Sequence, residues 1–188
     1  MSNPFRFAVQ TVVLATGLGT GWTWAGTTPQ ANPSLLELGR PPTEAEVGAW
    51  NIDVSPSGAG LPPGSGTVQN GRQVFAQKCA MCHGRTGVEG PMDRLVGGHG
   101  TLKTDRPIKT VGSYWPYATT LFDYIRRAMP FTAPQSLTPD EVYSLVAWLL
   151  YQNGIVAENA VMDARTLPAV RMPNRDGFMP DQQPDVPK

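Results

Sequence analysis

Apolar side chains recur at helical spacing in three segments of the central part of the chain, which predicts three helices there. The first helix runs from about Thr67 into a pair of cysteines. The second begins at Pro116, because proline is favoured at the first helical position. The third begins with a capping box at Thr138-Pro139 and ends at Asn153-Gly154. The positions that carry these patterns are Val68, Gly71, Phe75 and Cys79; Leu121, Tyr124, Ile125 and Ala128; and Val142, Leu145, Val146, Leu149 and Leu150. No segment shows the alternation typical of a strand, so the pattern predicts an all-α domain.

Two flanks rich in proline and glycine surround this domain, in a chain of 188 residues with 20 glycines and 19 prolines. The predicted divisions are an N-terminal arm at 27–65, a folded domain at 66–154 and a C-terminal arm at 155–188. A capping box at Thr43 predicts one short helix, up to about Trp50, in the first arm. Large apolar residues such as Trp50, Ile52 and Phe178 are uncommon in disordered tails, so we expect the arms to wrap the domain.

The first 26 residues have the pattern of a secretory signal peptide. Arg6 is their one charged residue, an apolar stretch follows at 7–18, and small residues near Ala25 or Gly26 suit cleavage. The alternative is a retained membrane anchor, although the stretch is weakly hydrophobic for a spanning helix. The pattern predicts export and a periplasmic location.

Charge excludes one class of partner. The chain has 15 basic and 15 acidic residues and no basic stripe, which excludes a strongly basic nucleic-acid binder.

The two cysteines of the chain lie in the run Cys79-Ala-Met-Cys82-His83, the attachment pattern of a c-type haem. Two thiols one helical turn apart can add to the two vinyl groups of one porphyrin, and the histidine that follows can bind the iron. The alternatives are a short disulfide, a thioredoxin-like redox site and a zinc site. A thioredoxin-like site expects a βαβ pattern, which is missing, and zinc needs more ligands than His99, the other histidine, can supply. The motif therefore predicts one covalently bound haem c.

With Gly71 and Phe75 before the motif, Gly90-Pro91 after it, a later Met-Pro and a final helix that reads Leu-Val-Ala-Trp-Leu, the chain resembles class I cytochrome c over about 66–154. The resemblance implies that fold, here with extended N- and C-terminal arms. It also implies that Gly71 and Phe75 meet Leu145 and Trp148 where the first and last helices cross. The carbonyl of Pro91 is expected to accept a hydrogen bond from the ring N–H of His83, which fixes the orientation of that ligand.

The same resemblance implies that Met129, between the second and third helices, is the sixth ligand of the iron beside His83. Thioether ligation stabilises ferrous iron and raises the reduction potential, as suits an electron carrier. Met172, His99 and an open sixth site remain as alternatives, and we expect His99 to lie in a solvent-facing loop.

Three further residues are candidates for the haem pocket. Tyr114, Trp115 and Arg94 could form hydrogen bonds with the haem propionates, although the two aromatic residues could equally be ordinary pocket wall.

Over about 38–178 the chain is similar to the cytochrome subunit of periplasmic sulfite or sulfane dehydrogenases, the SoxD type. The segments that carry this similarity are Gly39-Arg40-Pro41, 50–54, 60–64, 95–98, 109–118, 127–131 and 172–178. Longer members carry two haems, whereas this chain has a single attachment motif.

The similarity implies a monohaem cytochrome that takes single electrons from a periplasmic molybdenum dehydrogenase and passes them to another cytochrome or to an oxidase. Such a chain would be an electron-transfer subunit or partner with no catalytic residues of its own. A general soluble carrier and a haem enzyme or sensor with an open sixth site are the alternatives.

Overall fold

The computed structural model describes residues 39–179. The predicted signal peptide at 1–26 lies outside this range. The chain divides into two units, Met1–Pro41 and Pro42–Lys188, and only three residues of the first unit are described. Within the described range, no helix has the length and apolar character needed to cross a membrane.

The second unit is mainly helical. Its helices are α1 (Glu44–Trp50), α2 (Val68–Lys78), α3 (Ala80–His83), α4 (Ala118–Ala128) and α5 (Pro139–Gln152), and its strands are β1 (Ser65–Thr67) and β2 (Val161–Asp163). The strands form an antiparallel pair in which Gly66 lies opposite Met162. We predicted no strand, because segments of three residues are too short to show an alternating pattern. The pair forms because the C-terminal arm folds back onto the start of α2.

Local capping signals fix three of the helix starts. The side chains of Thr43 and Thr138 take part in full capping boxes at α1 and α5, and Thr67 accepts from the amide of Asn70 at α2. The predicted start of α4 is two residues early. Tyr117 is still extended, and its ring packs against the guanidinium of Arg175 at 4.1 Å.

Helix α5 lies at the centre of the core and is buried from Val142 to Leu150. It crosses α2 at Gly71, where an added Cβ would lie 1.9 Å from the carbonyl oxygen of Ser144. Beside this crossing, the rings of Phe75 and Trp148 pack with their centroids 4.0 Å apart. The structure confirms that Gly71 and Phe75 meet Trp148 of the last helix, whereas the backbone at Gly71 contacts Ser144 and not Leu145, the residue that we had predicted.

Both arms contribute to this core, as expected. Val54 of the N-terminal arm and Leu167 and Met172 of the C-terminal arm are buried. The hydroxyl of Tyr143 donates to the carbonyl of Pro62 at 2.9 Å, which ties the first arm to α5. The prediction that Trp50 anchors its arm is wrong, since 87% of that residue is exposed.

Candidate functional site

The two cysteines and the histidine of the attachment motif lie on one tight turn. The amide of Cys79 ends α2 by donating to Phe75 at 2.9 Å, and α3 follows without a break. The amides of Cys82 and His83 both donate to the carbonyl of Cys79, at 3.1 and 3.0 Å. All three side chains therefore come from a single backbone turn, and the two cysteines form no disulfide with each other.

Burial raises the pKa of the Cys79 thiol to about 11, although the nearby charge of Lys78 opposes the shift. Redox-active dithiols need a lowered thiol pKa, because the thiolate is their nucleophile. The environment of Cys79 therefore gives no support to a thioredoxin-like site.

His83 is held by a backbone carbonyl, but not by the one that we predicted. Its Nδ1 lies 2.8 Å from the carbonyl oxygen of Asp93, so Nδ1 carries the proton and Nε2 is left as the nitrogen that can bind a metal. The expected acceptor was Pro91. The loop turns closely under the motif at Gly90, and the amide of Met92 donates to the carbonyl of Cys82 at 2.9 Å. This turn brings the carbonyl of Asp93 to the imidazole.

Met129 ends α4, where its amide donates to the carbonyl of Ile125 at 3.1 Å. Its side chain is half-buried and packs against the core. Met172, the alternative methionine, is 1% exposed and belongs to the core itself. His99 is exposed, in accordance with the expected solvent-facing loop. Met129 therefore combines partial burial with a position at the edge of the core.

Half-buried apolar side chains from several segments pack against the same core. Cys79, Leu95, Trp115 and Met129 are among them. Across residues 39–179, the indole N–H of Trp148 is the one buried side-chain polar group without a hydrogen-bond partner. Such a group costs about 1–3 kcal/mol when it stays unsatisfied. The indole of Trp148 packs against Phe75, which lies one helical turn before Cys79. A buried donor without a partner is expected at a position where a bound group completes the core.

These observations fit haem c. The two thiols, the imidazole and the thioether are the donor set that such a haem uses. A zinc site is not supported, because no cluster of three or more histidine, cysteine or acidic residues occurs in the part of the chain that the structure describes.

The three candidates for propionate contacts have different surroundings. Tyr114 packs edge-to-face on Phe178 at 5.2 Å and lines a cleft of about 300 Å³. Trp115 is half-buried and meets Tyr124 edge-to-face at 5.6 Å. Arg94 is exposed, and its Nε donates to the carbonyl of Val96 at 2.8 Å. Their role toward the propionates stays a prediction.

Asn153 is a site residue that the sequence did not reveal. Its Oδ1 accepts from the amide of Gly97 at 3.0 Å, and its Nδ2 donates to the carbonyls of Leu149 at 2.8 Å and Leu95 at 3.3 Å. The side chain thus fastens the loop that carries Leu95 to the end of α5. In the sequence, Asn153-Gly154 shows only the end of a helix.

Comparison with known proteins agrees with this site. Residues 66–149, slightly less than half of the chain, match the family model described as cytochrome c oxidase, cbb3-type, subunit III. A chain in the crystal structure of the sulfane dehydrogenase SoxCD from Paracoccus pantotrophus is 45% identical, with a TM-score of 0.74. The match covers 80% of this chain and 74% of that one. No curated protein matches the chain.

Proposed function

This chain belongs to the c-type cytochromes of the SoxD type, and we propose that it accepts single electrons from a molybdenum-containing sulfite or sulfane dehydrogenase in the periplasm. It passes them to a downstream cytochrome or to an oxidase of the respiratory chain. A role in electron transfer follows from the family.

Haem c supplies reversible one-electron chemistry at iron when it is bound. Cys79 and Cys82 would attach it, and the imidazole of His83 and the thioether of Met129 would be its two iron ligands. The carbonyl of Asp93 holds the imidazole through Nδ1, which fixes the ring orientation and increases the basicity of Nε2.

The single attachment motif limits how many electrons this chain can accept at one time. Oxidation of sulfite to sulfate, or of a sulfane sulfur by two steps in oxidation number, releases electrons in pairs. A protein with one haem accepts one electron at a time. Each such oxidation therefore requires two successive encounters with this chain, or one encounter and an immediate onward transfer.

One observation carries the choice of donor. The similarity to the chain from SoxCD extends over 80% of this chain, well beyond the residues 66–149 of the cytochrome match. A general soluble carrier requires only the cytochrome domain. A chain that also keeps the arms, and buries them in its core, is better explained by a dedicated partner.

The proposed ligand is tested by Met129→Leu, with Met172→Leu as the matched control. Leucine cannot bind iron and has nearly the volume of methionine, so the packing cost of either change should not exceed about 1.5 kcal/mol. We expect Met129→Leu to abolish the near-infrared sulfur-to-iron charge-transfer band, lower the reduction potential and permit carbon monoxide binding. Met172→Leu should do none of these. The opposite result would show that Met172 is the ligand, and carbon monoxide binding by the wild type would favour a haem enzyme or sensor.

The proposed donor is tested by stopped-flow reduction. Ferric protein is mixed with the purified dehydrogenase and either sulfite or a sulfane substrate, and the haem spectrum is followed. We expect rapid reduction that requires both enzyme and substrate. Slow reduction by the enzyme, together with fast reduction by a small chemical reductant, would contradict the dedicated role.

A further inference from the structure

The last described part of the C-terminal arm makes contacts that the proposed function does not use. Met172 is buried in the core and anchors this part of the arm. Two successive turns follow. The amide of Arg175 donates to the carbonyl of Met172 at 3.1 Å, and the amide of Gly177 donates to that of Asn174 at 3.1 Å. An added Cβ at Gly177 would collide with Oδ1 of Asn174, so the second turn closes tightly on that side chain. The arm therefore presents Asn174 and Arg175 from an ordered backbone.

Both of these half-buried side chains contact residues 114–117, which lead into α4 and which we call the pre-helix segment. Nδ2 of Asn174 donates to the carbonyl of Tyr114 at 2.7 Å. The guanidinium of Arg175 lies 4.1 Å from the centre of the Tyr117 ring, within the range of a cation–π contact. In the part of the chain that the structure describes, Arg175 makes no ion pair. The arm thus holds the pre-helix segment at both of its ends.

The pre-helix segment depends on such contacts from outside. Tyr117 is the N-cap residue of α4, but its side chain makes no capping hydrogen bond within the described chain. Pro116 has no amide hydrogen to donate. The ring of Tyr114 also packs edge-to-face on Phe178 of the arm, at 5.2 Å. Contacts from the C-terminal arm therefore take the place of the local capping bonds that fix the starts of α1, α2 and α5.

Trp115 lies between the two residues that the arm holds. Its indole is half-buried, packs against the core and meets Tyr124 edge-to-face at 5.6 Å. Cys79 and Met129, two of the residues proposed to hold the haem, pack against the same core. An apolar wall keeps water from a haem, and low polarity disfavours the ferric state, which has the higher charge. The placement of Trp115 is therefore a means by which the arm can raise the reduction potential.

We propose that Asn174 and Arg175 are positioning residues for the haem pocket, which hold the pre-helix segment so that Trp115 shields the haem from water. The inference rests on the haem site of the proposed function and does not depend on the identity of the electron donor. It gives the C-terminal arm a part in setting the reduction potential. The arm acts through Trp115, and neither positioning residue needs to touch the haem.

The test is a redox titration of holoprotein variants that do not change the charge of the chain. We expect Asn174→Ala to lower the reduction potential, because the released segment lets water reach the haem, and to keep the near-infrared sulfur-to-iron band. Trp115→Leu should lower the potential as well. In a Trp115→Leu background, Asn174→Ala should cause no further shift, since its effect acts through Trp115. Arg175→Lys keeps the charge but loses the planar group over Tyr117, so it should cause a smaller shift in the same direction. This milder variant tests the same point if Asn174→Ala does not fold.

Arg171→Lys is the matched control for Arg175→Lys, because Arg171 lies on the same arm, is exposed and pairs with Asp176 at 2.6 Å. It should leave the potential unchanged. A purely structural arm would give Asn174→Ala a lower Tm with the wild-type potential, and that result would overturn the inference while the proposed function stands.

Three other results would also contradict the inference. Trp115→Leu could keep the wild-type potential, Asn174→Ala could shift the potential equally in the Trp115→Leu background, or Asn174→Ala could lose the near-infrared band. The first would show that Trp115 is not part of the haem pocket, and the second that Asn174 acts by another route. The third would show that the arm acts on the sulfur ligand. A wild type that binds no haem would overturn both this inference and the proposed function.

Discussion

The crossing of α2 and α5 at Gly71 gives a quantitative prediction for Gly71→Ala. An added Cβ would lie 1.9 Å from the carbonyl oxygen of Ser144 and 2.7 Å from Cβ of Trp148. Ordinary contact begins at 3.4 Å, so the two helices must separate by about 1.5 Å. The nearest atoms belong to the backbone of α5 and cannot rotate away.

The magnitude follows from two opposing effects. Overpacking a close contact typically costs 1–3 kcal/mol, and a backbone clash belongs at the upper end of that range. Replacement of glycine by alanine within a helix contributes about 1 kcal/mol of stability through helix propensity. We therefore expect a net loss of about 2 kcal/mol, which corresponds to a fall in Tm of about 4–8 °C for a domain of this size.

The assay is reversible unfolding of the ferric holoprotein in denaturant, followed by circular dichroism and by haem absorbance. Gly48→Ala is the control, because Gly48 is also helical and an added Cβ there meets nothing within 4 Å. It should not lower stability. Equal stability of Gly71→Ala and the wild type would refute the close crossing of the two helices.

Three further predictions concern the attachment motif, the buried Tyr143, and Asn153, whose side chain fastens the loop at 95–97 to α5. Cys82→Ser should lose most covalently bound haem, measured by haem staining of denatured protein, and should have little helical circular dichroism; a stable helical protein without haem would contradict a core organised by the haem. Burial raises the pKa of Tyr143 to about 12, with the charge of Asp163 adding to the shift. The folded state therefore keeps the phenol proton after the unfolded state has lost it, and stability should fall by up to about 3 kcal/mol between pH 10 and 12, a fall that Tyr143→Phe should remove in denaturant titrations. Asn153→Ala should cost about 2–3 kcal/mol, because the amide of Gly97 loses its acceptor, and should shift the reduction potential; an unchanged Tm and potential would show that this clamp is dispensable.

Much of the candidate site could be read from the sequence because its chemistry is local. Cys79, Cys82 and His83 lie within five consecutive residues, and one backbone turn brings them together. The hydrogen-bond acceptor for His83 was predicted at Pro91, but the carbonyl that meets the imidazole is that of Asp93, two residues later. Which carbonyl meets the imidazole depends on how the loop turns at Gly90, and the residue types do not determine that path.

The sequence by itself determined the starts of α1, α2 and α5, the attachment turn and the glycine that permits the helix crossing. The helix starts and the attachment turn depend on hydrogen bonds within a few residues. The crossing depends on a glycine, and the sequence itself shows that this position has no side chain. Only the tertiary structure decided which apolar residues of the arms are buried. Met172 and Trp50 are both large apolar residues in proline-rich flanks, but one is buried in the core and the other is exposed. The difference depends on contacts with residues distant in the sequence, such as those that bind 52–56 along α4, and local patterns do not encode such contacts.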